Sequence, residues 1–139
     1  MKPLLFALLA GCMTVAGIAF ADPPAVQTET LLQAGSSWDG TPYKAYPAGR
    51  PVMSVLKITI PPHTALKWHS HPIPNAAYVV SGQLTVEKKE TGEKKIVTRG
   101  QVLAEMVDVV HRGLSGDEPV VLIVFYAGAD GVPLSKQAQ

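Results

Sequence analysis

Hydrophobic and polar residues alternate along much of the chain after residue 50, with the period of two that is typical of β-strands. The alternation is clearest in VMSVLKITI, from Val52 to Ile60. Further strands are predicted at residues 76–82, 83–90, 96–100, 101–107 and 117–128. Turns separate them at Ser81-Gly82 and in the charged stretch TGEKK. No segment in this region is both long enough for a helix and helical in its repeat. The pattern therefore predicts an all-β fold, either a sandwich or a barrel.

The first 21 residues have a different pattern, with a basic start and an apolar run over residues 3–21 that ends in Ala-Phe-Ala. This is typical of a secretory signal peptide cleaved before Asp22, and it favours cleavage over a retained membrane anchor. The sequence LAGC, which ends at Cys12, also resembles the box at which bacterial lipoproteins are cleaved and lipidated. We therefore predict an exported, periplasmic protein, with lipid anchoring through Cys12 as the alternative.

Composition and charge narrow the class of protein. The chain has 139 residues, 47% hydrophobic and 17% charged, which is the range of one compact domain. Removal of Lys2 with the signal peptide leaves 11 basic residues against 11 acidic ones, so nothing favours nucleic-acid binding or electrostatic attachment to a membrane. The single cysteine, Cys12, would also be removed, so a packed core and a bound metal are the expected sources of stability. The predicted organisation is a signal peptide at 1–21, an N-terminal arm at 22–49, a β-barrel at 50–128 and a C-terminal tail at 129–139.

Four histidines, at positions 63, 69, 71 and 111, carry the candidate chemistry. Side chains two residues apart in a strand share a face, which places His69 beside His71. Two neutral imidazoles can bind one divalent ion, but a metal site needs at least one more donor, and His111 is the candidate. His63 follows two prolines and is expected to be an exposed turn residue.

The spacing of these residues resembles the cupins, a family of small jelly-roll β-barrels with two sequence motifs. In the first motif, His69, His71 and the closing Gly82 match, Asn75 replaces a glutamate, and His63 stands at the opening glycine. In the second motif, Gly100 and His111 match. Three of its other positions, normally proline, glycine and asparagine, are occupied by Met106, Asp108 and Ser115.

The resemblance covers about residues 50–128 and implies a single cupin-like jelly-roll barrel with an N-terminal arm. It also implies that His69, His71 and His111 bind a metal ion, and that the protein forms a homodimer through β-sheet edges. In the family the first-motif glutamate is the fourth ligand, a position that Asn75 occupies here. Three histidines suit a divalent transition metal, namely Fe, Mn, Ni, Cu or Zn.

Two residues are candidates to complete the metal site. Asn75 can coordinate through its amide oxygen, a weaker donor than a carboxylate. Glu105, in VLAEMV, is costly to bury unless it is paired or bound to metal, but alternation alone leaves open whether it faces the pocket or solvent. We treat Glu105 as a catalytic candidate, either as fourth ligand or as general base.

Several other residues are expected to have structural roles. Trp38, Tyr43 and Tyr46 would pack the arm onto the barrel, and Trp68 and Tyr78 would lie off the ligand face. Lys67 shares a face with His69 under strict alternation, so a bulge or a place at the barrel mouth is expected there.

The sequence supports two functional hypotheses and makes a third, metal-free structural barrel, the weakest. The first is a metalloenzyme of oxygenase, isomerase or lyase type that acts on a small organic molecule. The second is a module that binds a metal or small ligand without turning it over, which the glutamate-to-asparagine change at Asn75 favours. A Glu105 side chain within reach of the three histidines would favour the enzyme.

Overall fold

The computed structural model describes residues 25–138, whose regular structure consists of two antiparallel β-sheets without any helix. The predicted signal peptide and Cys12 lie outside the described residues. Within this part of the chain, nine strands follow one another: β1 (Pro51–Ile60), β2 (His69–Ser70), β3 (Asn75–Ser81), β4 (Gln83–Lys88), β5 (Lys94–Thr98), β6 (Val102–Ala104), β7 (His111–Ser115), β8 (Val120–Ala129) and β9 (Lys136–Gln137). Within residues 25–138, no helix is long and apolar enough to cross a membrane. The predicted all-β class is confirmed.

The strand order places a four-stranded sheet, β1-β8-β3-β6, against a five-stranded sheet, β5-β4-β7-β2-β9. In β3 and β8, buried and exposed residues alternate, as expected of strands with one face toward a core. The inward residues of both sheets form one hydrophobic cluster, which includes Ile60, Val79, Val86, Leu122 and Met106. The core therefore lies between the two sheets.

The sequence predicted the long strands better than the short ones. Strands β1, β3, β4, β5 and β8 fall within two or three residues of the predicted segments at each end. Strands β7 and β9 were not predicted, because HRGLS and KQ are too short and too polar to give a period-two signal. Strand β9 lies inside the segment expected to be a tail, and it pairs with β2.

Tight turns between the strands require a left-handed backbone at several positions. Gly82 has φ 77°, and a Cβ there would collide with the carbonyl of Pro119, so only glycine fits this hairpin. His63 and Asp108 are the two non-glycine residues with positive φ in the described part of the chain, at 51° and 58°. Both stand where the cupin motifs have glycine, the residue that adopts a left-handed backbone most easily.

The N-terminal arm is docked onto the sheets through a compact turn around Asp39. This carboxylate accepts hydrogen bonds from the Ser37 hydroxyl (2.6 Å), the Thr41 N–H (3.1 Å) and Lys88 Nζ (2.7 Å). The side chains of Asp39 and Lys88 are only 2% and 15% exposed. Burial raises the pKa of Asp39, but the hydrogen bonds from Lys88, Ser37 and Thr41 outweigh it and hold that pKa well below its usual value.

Aromatic residues of the arm extend this contact, as the sequence predicted for two of the three. Trp38 packs against the hydrophobic core, and the Tyr43 hydroxyl donates a hydrogen bond to the Glu105 carbonyl (2.7 Å). Burial and the charges of Glu105 and Asp39 raise the pKa of Tyr43 to about 12, so the hydroxyl keeps its proton. Tyr46, in contrast, is 77% exposed.

Candidate metal centre

The three predicted histidines come together at one end of the five-stranded sheet. His69 in β2 pairs directly with His111 at the start of β7, and His71 follows two residues after His69. Their ring centroids are 4.7 Å (His69–His111), 5.0 Å (His69–His71) and 5.2 Å (His71–His111) apart. One ligand nitrogen from each lies within 4.8 Å of the others, so the three could hold one metal ion.

A backbone carbonyl fixes the orientation of each ring. Nδ1 of His69 lies 2.8 Å from the Lys67 carbonyl, Nδ1 of His71 lies 2.7 Å from the Leu134 carbonyl, and Nδ1 of His111 lies 2.8 Å from the Val109 carbonyl. Because a carbonyl can only accept, each Nδ1 carries the proton and each neutral ring has its lone pair on Nε2. Metal-binding histidines commonly donate their other ring N–H to a backbone carbonyl in this way, which fixes the ring and leaves Nε2 free for the metal ion.

Burial keeps two of these imidazoles neutral. His71 is 4% exposed and His69 is half-buried, and in both cases burial lowers the pKa of the ring more than the neighbouring carbonyl and Glu105 raise it. A neutral ring is the form that binds a metal ion.

Glu105 directly follows β6 and faces the histidines. Its side chain is buried, and its Oε2 lies 3.3 Å from Nε2 of His111 without hydrogen-bond geometry. Both atoms are buried, and neither has a hydrogen-bond partner in the part of the chain that the structure describes. In the neutral form of His111, whose proton is on Nδ1, two lone pairs face each other, and either a proton or a metal ion between the two atoms removes that repulsion.

The pKa shifts of Glu105 and His111 favour a positive charge, either a proton or a metal ion, between the two groups. Burial raises the pKa of Glu105, but His111, His71 and His69 outweigh it and lower the pKa overall. Burial lowers the pKa of His111, but Glu105 and the Val109 carbonyl outweigh it and raise that pKa. The carboxylate is therefore ionised, and the space beside it favours a proton or a metal ion.

Asn75 lies next to Glu105 across the sheet. The Glu105 N–H donates to the Asn75 carbonyl (3.1 Å), and the adjacent residues Ala76 and Ala104 are a β3–β6 pair. The Asn75 side chain is 5% exposed; its Nδ2 donates to the Ile73 carbonyl (3.3 Å), and its Oδ1 is buried without a partner. An unpaired buried oxygen of this kind is costly unless a ligand, water or ion satisfies it.

Tyr126 is a candidate that sequence reasoning missed. It is the β8 partner of Asn75, so Glu105, Asn75 and Tyr126 form a row across three neighbouring strands. Its ring centroid is 5.8 Å from that of His71, and burial and the charge of Glu105 raise the pKa of its hydroxyl. The alternation of buried residues along β8 could have placed Tyr126 inward, but only the strand register places it beside Asn75.

The C-terminal segment was also missed as part of the site. It provides the Leu134 carbonyl that orients His71, and β9 pairs with β2 at His69. Val132 and Leu134 pack against the hydrophobic core. The segment expected to be a tail therefore supports two of the three histidines.

The remaining candidates from the sequence lie away from the three histidines. His63 is in an exposed turn, with its Nδ1 3.8 Å from Asp117, and Lys67 is exposed in an irregular segment before β2. Trp68 stacks under the guanidinium of Arg112, whose Cζ is 4.2 Å from the ring centroid. Tyr78 is a half-buried residue on the outer face of β3. These positions agree with the structural roles expected for these residues.

The donor set fits a divalent transition metal. It combines three imidazoles, an ionised carboxylate beside one of them and, among the described residues, a buried amide oxygen without a hydrogen-bond partner. Imidazole with carboxylate suits zinc, iron, manganese, nickel and copper. Two ligand atoms each about 2.1 Å from one ion lie roughly 3.0–3.4 Å apart, which matches the 3.3 Å between Glu105 and His111.

Comparison with known proteins gives a family match and a set of similar folds. The family model described as Cupin domain matches residues 56–126, just over half of the chain. No curated protein matches the sequence. Many solved structures share the fold.

Three of these structures illustrate the range. A cupin-like protein from Thermotoga maritima has a TM-score of 0.53 at 17% identity, covering 62% of this chain and 64% of its own. DMSP lyase DddQ from Ruegeria pomeroyi has a TM-score of 0.55 at 15% identity, covering 71% of this chain and 47% of its own. The polyketide cyclase RemF from Streptomyces resistomycificus has a TM-score of 0.54 at 14% identity, covering 66% of this chain and 63% of its own. The chain spans less than two thirds of each of these proteins, and at such identities the likeness shows the fold alone.

Proposed function

Because this chain belongs to the cupin family, we propose that its two sheets form a jelly-roll barrel holding a metal-dependent enzyme site for a small organic molecule. His69, His71 and His111 hold the ion, and Glu105 completes the donor set. One observation carries this proposal. Oε2 of Glu105 and Nε2 of His111 are buried, lie 3.3 Å apart and have no hydrogen-bond partner among residues 25–138, so the space between them favours a positive charge, which a metal ion would supply.

The residues around the ion have separate roles in this proposal. A bound Fe, Mn, Ni, Cu or Zn ion would supply a Lewis acid with open coordination positions, and the redox-active ions would also supply electron transfer. Asn75 orients a substrate oxygen or binds the ion through Oδ1, which has no other partner. Tyr126 keeps its proton and can donate it toward the substrate. An oxygenase, isomerase or lyase reaction is consistent with this set.

The second candidate is a module that binds a metal or small ligand without turning it over. Asn75, in the place of the motif glutamate, favours this candidate because an amide is a weaker metal donor than a carboxylate. The position of Glu105 favours the enzyme, since it returns a carboxylate to the site.

Export and dimerisation are part of the proposal. The apolar segment 3–21 supports secretion to the periplasm after cleavage before Asp22, or lipid anchoring through Cys12. Strand β1 is at the edge of its sheet, and its exposed Met53 and Val55 lie beside Phe125 on the outer face. An apolar edge of this length is a suitable surface for a second copy of the chain.

Metal content tests the site. The purified protein is stripped with a chelator, reconstituted separately with each of the five metals, and measured by elemental analysis. We expect about one equivalent for the wild type, and less than about a tenth for His69→Ala and His111→Ala. His63→Ala is the matched control, because this histidine is exposed and outside the cluster. A wild type that retains less than about a tenth of an equivalent of every metal would refute both metal-based functions.

A second experiment separates the enzyme from the binding module. The metal-loaded protein is incubated with a small-molecule extract, and mass spectrometry follows every component. An enzyme consumes one compound and produces another, and its metal-loaded Glu105→Gln variant does so at least about 100-fold more slowly. A module retains a compound unchanged.

A further inference from the structure

The backbone around Glu105 is held by the N-terminal arm where the sheet ends. Strand β6 is an edge strand of three residues, Val102–Ala104, and it stops immediately before Glu105. On its inner side, the Glu105 N–H donates to the Asn75 carbonyl (3.1 Å). No strand pairs with the other side of β6 in the described residues, which leaves the Ala104 carbonyl without a strand partner, and Glu105 lies past the end of β6, where its carbonyl makes no bond to β3 among these residues.

The arm supplies both missing partners. The Trp38 N–H donates to the Ala104 carbonyl (3.0 Å), and the Tyr43 hydroxyl donates to the Glu105 carbonyl (2.7 Å). The latter bond joins residues 62 positions apart and is partly buried. The peptide group before the Glu105 Cα is therefore held by both β3 and the arm, and the peptide group after it is held by the arm.

The arm is rigid enough to act as a support. The turn from Ser37 to Thr41 is closed by its own backbone hydrogen bonds, with 2.9 Å between the Ser37 nitrogen and the Thr41 oxygen. Asp39 joins it to Lys88 of the five-stranded sheet at 2.7 Å. The arm thus contacts both sheets, and it contacts the four-stranded sheet directly at the residues that place the Glu105 side chain.

We infer that Tyr43 is a positioning residue that sets the Glu105 carboxylate against His111. This inference rests on the proposed metal site. It assigns that site a supporting residue that lies outside residues 56–126, the part matched by the family model. Among residues 25–138, Oε2 of Glu105 has no hydrogen-bond partner and only approaches His111, so a fixed backbone is needed to hold the carboxylate in this position. Metal affinity depends on such supporting contacts by roughly 10–100-fold.

The test is a double-mutant cycle on metal affinity. Tyr43→Phe removes only the hydroxyl, and Tyr46→Phe is the matched control, since Tyr46 is in the same segment and 77% exposed. Affinity for zinc and the visible spectrum of the cobalt(II) form are measured well below the unfolding temperature. We expect Tyr43→Phe to weaken zinc binding about tenfold and to change the cobalt spectrum, and Tyr46→Phe to do neither.

The Glu105→Gln background separates positioning from general stability. If Tyr43 acts through Glu105, Tyr43→Phe has little further effect on zinc affinity in Glu105→Gln. An equal loss of affinity in both backgrounds, or no loss in either, would overturn the inference while leaving the metal site intact. A wild type without metal affinity would refute the proposed function instead. In that case a crystal structure of Tyr43→Phe decides the inference, which is overturned if the Glu105 carboxylate stays in place beside His111.

Discussion

Asn75 and Glu105 face each other across the β3–β6 ladder, so the carboxylate of the site can be exchanged between them. The Glu105 N–H donates to the Asn75 carbonyl at 3.1 Å, and both side chains are directed into the buried space between the sheets. Cβ atoms of directly opposed residues in an antiparallel pair are about 4.5–5.5 Å apart, a distance that a glutamate side chain can span. The perturbation is the double variant Asn75→Glu, Glu105→Gln, compared with Glu105→Gln alone.

The expected magnitudes follow from the loss and return of one buried negative charge. Glu105→Gln keeps the volume of the side chain but replaces an ionised donor by a neutral one. Removing a supporting contact of a metal ligand already costs roughly 10–100-fold in affinity, so loss of the donor itself should cost at least about 100-fold, or about 2.8 kcal/mol. The exchange should recover at least about tenfold. The longer side chain at Asn75 should lower the free energy of unfolding by about 1–3 kcal/mol, because this buried position is already packed.

Competition with a chromophoric chelator measures the affinities, and thermal unfolding confirms that each variant is folded. The Asn75→Glu variant alone is the control for added bulk and charge. Zinc affinity of Glu105→Gln within about threefold of the wild type would refute the assignment of Glu105 as a donor and leave a three-histidine site. A large loss in Glu105→Gln without recovery in the exchange variant would refute the equivalence of the two positions.

Four further predictions concern the rest of the fold. Asp39→Asn should lower the unfolding free energy at neutral pH by about 2 kcal/mol in urea denaturation. The contribution of Asp39, whose pKa is lowered by folding, is complete above about pH 4 and disappears as the pH falls further, so the variant should lose less stability than the wild type between about pH 4 and pH 2. Asp108→Gly should change the unfolding free energy by less than about 0.5 kcal/mol, because relief of the left-handed backbone at φ 58° is offset by the entropy that glycine loses on folding, and a loss above about 1 kcal/mol would contradict strain at this residue. Deletion of residues 132–139 should weaken metal binding roughly 10–100-fold, measured at a temperature where circular dichroism shows that the shortened protein is still folded, since the ring of His71 loses its carbonyl partner. Val55→Glu should convert a wild-type dimer to a monomer in light scattering, and a monomeric wild type would contradict the β1 interface.

The sequence predicted those parts of the fold that depend on local pattern. Alternation located β1 and β8, and the turn at Ser81-Gly82 was visible because only glycine suits its backbone. The spacing of His69 and His71 indicated a shared site, and the resemblance to the cupin motifs added His111. These features are encoded within a few consecutive residues or in a known motif.

The orientation of Glu105 could not be predicted, because residues 103–106 are all buried and alternation fails where β6 ends. The role of the Leu134 carbonyl could not be predicted for another reason. Every residue has a carbonyl, and only the tertiary structure determines which one lies beside His71. Tyr126 required the β3–β8 register, which pairs it with Asn75 and which arises from packing of the whole sheet. Contacts of this kind depend on long-range pairing and have no local signal.

The departures from the cupin motifs are of two kinds, and the structure gives them different consequences. His63 and Asp108 stand at motif glycines and adopt a left-handed backbone, at φ 51° and 58°, so their consequence is strain in a turn. Histidine and aspartate are among the residues that tolerate this region best, which limits the cost to about 1 kcal/mol each. Asn75 changes the chemistry of the site and keeps its backbone. Such a change can be compensated only by a donor on the same inward face, and Glu105, its neighbour across the ladder, occupies that position. The motif therefore predicts the path of the backbone. The metal donors depend on which neighbouring residues of β3, β6 and β8 point inward.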